Sequence, residues 1–154
     1  MTDTLPTAGA PPLRPPRRDV RAPGLAFRAP AGWQIAHTAT SARATSGDAK
    51  VSAVVYRLGK AYSPAEFAAA AQELDRVAAK LAQAAGGKVD SSETTTIAGR
   101  KVRAYRFGGS GEEHRVAFVL DGKREVQLLC TAPSGAGDPD GACSLLFSSF
   151  TLSR

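Results

Sequence analysis

The segment Arg115-Val116-Ala117-Phe118-Val119-Leu120-Asp121-Gly122-Lys123-Arg124-Glu125-Val126-Gln127-Leu128-Leu129-Cys130 reads as a β-hairpin. Val116, Phe118 and Leu120 alternate with Arg115, Ala117 and Val119, the two-residue period of a strand. Asp121-Gly122 follows as a turn, because both residues tolerate positive φ. Val126, Leu128 and Cys130 then alternate with Glu125, Gln127 and Leu129, which puts Cys130 on the core face beside Val126 and Leu128.

The other cysteine, Cys143, lies beyond a Pro/Gly/Ala-rich loop. Asp138-Pro139-Asp140 suits a helix start, where acidic groups complement the free N–H groups of the first turn. Cys143, Leu146, Phe147 and Phe150 fall at i, i+3, i+4 and i+7, so they share one helical face. Both sulfurs therefore point inward. They serve either as reduced, buried apolar residues or as a bridge tying the last helix to the sheet. A CxxC redox motif is absent.

Upstream, Leu25-Ala26-Phe27 is a short strand, and Trp33, Ile35 and His37 share one face of the next. Ser46-Gly47-Asp48 is a turn before an apolar strand from Val51 to Leu58. Ser63-Pro64-Ala65-Glu66 is a capping box with proline at the first helical position. Phe67, Ala70, Leu74, Val77 and Leu81 form the stripe that this helix is expected to bury, and Gly86-Gly87 stops it. Strands are expected at Ser92–Ile97 and Lys101–Phe107, joined by Ala98-Gly99-Arg100. Helices in the middle and at the end, with hairpin-linked strands between, predict an α+β fold on a mostly antiparallel sheet.

Residues 1–23 carry Pro6, Pro11, Pro12, Pro15, Pro16 and Pro23 and are expected to be a disordered Pro/Arg-rich tail, leaving 24–154 as one domain. The net charge of +6 divides evenly, since five arginines against two aspartates give +3 within residues 1–28. That balance does not argue for a polyanionic partner. No run is apolar enough to span a bilayer and no secretory h-region follows Met1, which conflicts with a bridge. Either a leader has been trimmed, which is the expectation, or the export signal lies elsewhere, or the cysteines are reduced in a cytosol.

Phe27-Arg28-Ala29-Pro30-Ala31-Gly32-Trp33, the Ile97-Ala98-Gly99-Arg100 turn, the Arg115–Cys130 hairpin and the closing Leu146-Phe147-Ser148-Ser149-Phe150 together resemble the PsbP-like superfamily. That group includes a photosystem II subunit, a small nuclear-import factor and many bacterial envelope proteins, often lipoproteins. The resemblance covers about residues 24–152 and implies an α/β/α sandwich with a long helix after the first strands and a short C-terminal helix. It also implies a strand-end cysteine paired with a final-helix cysteine, here Cys130 with Cys143. The chain has no lipobox cysteine near its start.

Chemistry-bearing motifs are few. Gly108-Gly109-Ser110-Gly111-Glu112 fails as a GxSxG elbow at its last position and lacks the lysine of a phosphate loop. Asp138-Pro139-Asp140-Gly141 lacks the remaining ligands of a calcium loop, and two cysteines with two histidines do not have zinc spacing. His114, beside Glu112 and Glu113, could bind a metal or act as a base, but it reads better as an exposed histidine at the start of a strand. Lys101, Arg103 and Tyr105 alternate onto one face as a possible surface-binding strip, with Arg100, Arg106 and Arg115 nearby. Three readings stay open: arginines on a solvated sheet face, which is the expectation, a nucleic-acid contact, which is not expected, and a face partly covered by a helix, since Phe107 follows the same alternation. No catalytic, cofactor or metal residues are assigned. The expectation is a monomeric, non-enzymatic, extracytoplasmic module that binds another protein. The alternatives are a cytoplasmic chaperone or adaptor with reduced cysteines, and a small-ligand-binding domain or small-ligand or metal-dependent enzyme centred on His114.

Overall fold

A computed structural model describes residues 17–153 of the chain. Six strands form the central antiparallel sheet in the order β3-β4-β5-β8-β7-β6: β3 Gln34–His37, β4 Ser41–Ser46, β5 Ala49–Tyr62, β6 Val89–Ile97, β7 Arg100–Gly109 and β8 Glu112–Pro133. A smaller sheet, β1-β2-β9, joins β1 Arg17–Ala22, β2 Leu25–Pro30 and β9 Thr151–Leu152. Helix α1 spans Phe67–Ala84 and α2 spans Ala142–Ser149. The fold is α+β with the long helix after the early strands and the short one near the C-terminus, as expected.

β8 is one extended run that doubles back on itself. The Ser134 N–H donates to the Gly111 carbonyl, and His114 meets Thr131 across the run. Both pairs centre the turn between Gly122 and Lys123, one position beyond the expected Asp121-Gly122. Gly122 has φ +60° and Asp121 is not among the positive-φ residues, which suits a turn with glycine in its first central place. Arg124 pairs with Asp121 across this turn and donates to the carbonyls of Gly24 and Ser153, tying the hairpin tip to the small sheet. The first arm of β8 bonds to β7 and the second to β5.

Arg17–Ala22 correct the expected boundary of the tail. They form β1, paired with β2 from Arg17↔Pro30 to Ala22↔Leu25, and Val20 is fully buried. The rest of the expected tail, residues 1–16, lies outside the described residues.

Both faces of the central hairpin are buried, which explains why its first arm is apolar at consecutive positions. Ala117, Val119, Val126, Leu128 and Cys130 enter one core with Phe27, Trp33, Leu146 and Phe150, beneath the small sheet and α2. Val116, Phe118, Tyr105 and Phe107 enter the other, beneath α1. Burying such aliphatic and aromatic side chains is worth roughly 1.5–3 kcal/mol each.

The ends of α1 follow the sequence signals. The Ser63 N–H donates to the Glu66 carboxylate at 2.9 Å before a single 3-10 turn over Pro64–Glu66. Gly86, at φ +90°, closes the helix by donating to Gln83, while Gly87 donates back to Ala82. The buried stripe is rotated from the expected one. Leu74, Ala78 and Ala82 are buried, whereas Val77 is 40% exposed. Alanine at 78 and 82 lets the helix sit close to Tyr105, Phe107 and Phe118, and that close approach selects the face.

Candidate functional site

The expected strip on β7 is a helix-docking surface. Tyr105 is only 3% exposed, and its hydroxyl donates to the Asp75 carboxylate of α1. Burial first, then that hydrogen bond, pushes the phenol up to about 12. Arg103 pairs with Asp75 at 3.2 Å and donates to Thr94. Lys101 places its ammonium 5.3 Å from the centre of the Phe67 ring. With Tyr105 sealed under α1, its ring cannot stack a base, and the nucleic-acid reading of this strip falls.

His114 is not the exposed residue expected. Its side chain is 12% exposed, stacked on Phe107 at 4.9 Å between centroids, with Nδ1 3.0 Å from the Thr131 hydroxyl. Burial lowers its pKa from the ordinary histidine value, and nearby Glu112 opposes this only in part. His37 lies exposed at the end of β3, remote in sequence and strand from His114. Among the described residues, no group of three or more His, Cys, Asp or Glu could hold a metal ion.

Cys130 and Cys143 are bonded to each other, joining the second arm of β8 to α2. Asp138 organises the start of that helix: its carboxylate accepts the Cys143 N–H at 2.8 Å, the Ser144 N–H at 3.0 Å and the Ser144 hydroxyl at 2.8 Å. The Trp33 indole N–H donates to Asp140 at 2.9 Å. These contacts frame a cleft of about 460 Å³ whose walls include Trp33, Ala132, both cysteines, Arg106 and Arg115. Arg106 and Arg115 lie directly opposite each other across β7 and β8. The Arg115 guanidinium stands 5.0 Å from the Phe147 ring centre. Partial burial, and next the like charge of Arg106, make the charged form of Arg115 less favourable; Asp138 and Glu93 offset this incompletely.

Sequence reading grouped Arg106 and Arg115 with the strip on β7. Strand alternation instead sends Arg106 to the opposite face from Arg103 and Tyr105. The turn falls at Ser110-Gly111, and counting outward from Gly109↔Glu112 brings residues 106 and 115 together.

α1 covers only part of its own face of the sheet, packing chiefly on β7 and β6. Half-buried Leu129 packs at the edge of the α1 core, and beyond it on β5 lie Val54, half-buried, and Tyr56, 47% exposed. Tyr56 is paired across the strands with Glu125, whose carboxyl is pushed up by burial.

No protein-family model and no curated protein matches the sequence. Solved structures do match. Cyanobacterial PsbP (CyanoP) from Synechocystis sp. PCC 6803 aligns with TM-score 0.60 at 9% identity, over 84% of this chain and 87% of that one. LpqN of Mycobacterium tuberculosis, described as involved in cell envelope biogenesis, aligns with TM-score 0.57 at 12% identity, over 90% of this chain and 92% of that one. A Bacteroides thetaiotaomicron protein aligns with TM-score 0.51 at 11% identity; the match covers 84% of this chain and 45% of its length. The chain has a PsbP-like fold.

Proposed function

We propose that this chain is a non-enzymatic, protein-binding module of the cell envelope, working outside the cytoplasm. The observation that carries the reading is the uncovered portion of the α1-bearing sheet face, where Tyr56 projects next to half-buried Val54 on β5, with half-buried Leu129 farther along β8 at the edge of the α1 core. An exposed aromatic next to half-buried aliphatics is the composition of an interface centre. The Cys130–Cys143 bridge supports an oxidising compartment. The likeness in fold to LpqN, described as involved in cell envelope biogenesis, supports the envelope. No helix among the described residues is long and apolar enough to cross a membrane.

The test is affinity capture from envelope extract with the intact chain and with Tyr56→Asp, run in parallel. The reading expects a partner held by the parent chain and lost by the variant, with both chains melting alike. Identical recovered proteins from the two would remove the proposed surface.

A further inference from the structure

We propose that the cleft beside α2 binds a small monocarboxylic acid with an apolar body, its carboxylate held by Arg115 and Arg106. This site is separate from the surface around Tyr56, on the opposite face of the sheet.

Two cations of the cleft have no carboxylate paired directly with them. Arg106 and Arg115 are cross-strand neighbours, and among the described residues neither guanidinium makes a hydrogen bond or an ion pair. Like charges opposite one another in a sheet are destabilising, and here one of them is half-buried against Phe147. The aromatic ring fixes the place of the Arg115 guanidinium. A guanidinium fork matches a carboxylate in two parallel N–H···O bonds, and an anion bridging the two arginines would relieve their repulsion.

Glu93 and Asp138 attract Arg115 through space, but neither forms an ion pair with it. Asp138 is engaged by two backbone N–H groups and a hydroxyl of α2. Asp140 accepts the Trp33 indole. Asp90 and Glu113, which also line the cleft, are exposed.

The charge count selects the ligand class. Lys50, Arg106 and Arg115 line the cleft together with Asp90, Glu113 and Asp138. A polyanion would therefore gain little net attraction and would meet the two exposed acids. A single carboxylate can pair locally with the arginines while its apolar part lies along Trp33, Ala132 and the disulfide. The volume of about 460 Å³ falls in the range of small-molecule sites.

Trp33 is the only tryptophan of the chain, so its fluorescence reports on the cleft directly. The experiment titrates the intact chain with octanoate, octanamide and octyl phosphate, and repeats the octanoate titration on Arg115→Gln and Arg106→Gln. Saturable binding of octanoate is expected, with octanamide and octyl phosphate weaker. Each variant should bind octanoate roughly tenfold to a hundredfold more weakly, as expected on losing a hydrogen bond to a charged group. Arg106 is exposed, so Arg106→Gln tests the site even if Arg115→Gln fails to fold. Absence of saturation, equal binding of octanamide, tighter binding of octyl phosphate, or unchanged affinity in folded variants would each overturn the proposal.

Discussion

Reducing the Cys130–Cys143 bridge should lower stability by about 3 kcal/mol. The bonded cysteines are 13 positions apart, and a loop of that size, once closed, removes about this much free energy of chain entropy from the unfolded state. For a domain of this length the loss corresponds to a fall of roughly 6–12 °C in Tm. The effect should be local as well as global. Cys143 sits on the face of α2 that carries Leu146 into the core, so amide exchange should quicken first in α2 and least in β6 and β7. The assay is guanidinium chloride unfolding followed by Trp33 fluorescence, with and without reductant. Comparing oxidised with reduced wild type avoids the cavity that a Cys→Ala pair would add. A stability difference under about 1 kcal/mol would refute the loop-entropy reasoning, and alkylation of both thiols in the unreduced, denatured chain would refute the bridge itself.

Two further outcomes follow from α1 and its seat. Gly87→Ala would put a Cβ 1.8 Å from the Gly108 carbonyl oxygen, so the helix end must lift from β7; a cost of at least roughly 1–3 kcal/mol is expected by denaturant titration, and an unchanged midpoint would exclude the close seating. Tyr105 keeps its proton more tightly in the folded protein, with a pKa of about 12 against the ordinary 10. Its contribution is thus fully present below pH 10 and is lost as pH rises through about 12. Tyr105→Phe should cost roughly 1–3 kcal/mol at neutral pH and flatten that alkaline decline, so an equal alkaline loss in the variant would count against the buried hydrogen bond.

Local chemistry made much of this fold legible. The Arg115–Cys130 alternation specified a hairpin whose register delivered Cys130 to the core, and the helical face of Cys143 supplied its partner. Ser63–Glu66 and Gly86-Gly87 marked the ends of α1 because those residues satisfy groups within one turn of chain. What escaped depends on contacts between distant segments. Val77 fits the helical period as well as Ala78, and only the seat beneath α1 chooses between them. The strip at Lys101, Arg103 and Tyr105 was visible, but which element faces it depended on where α1 docks and on Asp75 meeting Arg103 and Tyr105. The cleft was hidden for the same reason, since it exists only once α2 is pinned across the end of the sheet.

β1 was unreadable because Val20 is its one fully buried side chain amid Arg17, Arg18, Asp19 and Arg21, all exposed. Its position gives that composition a purpose. Among the described residues, β1 is the outermost strand of its sheet, with one row of its backbone groups not paired to a strand. Such an edge can recruit a strand from another molecule and seed aggregation, and long cationic side chains are a common protection against it. Neutralising Arg17, Arg18 and Arg21 would therefore threaten the protein's solubility more than its folding.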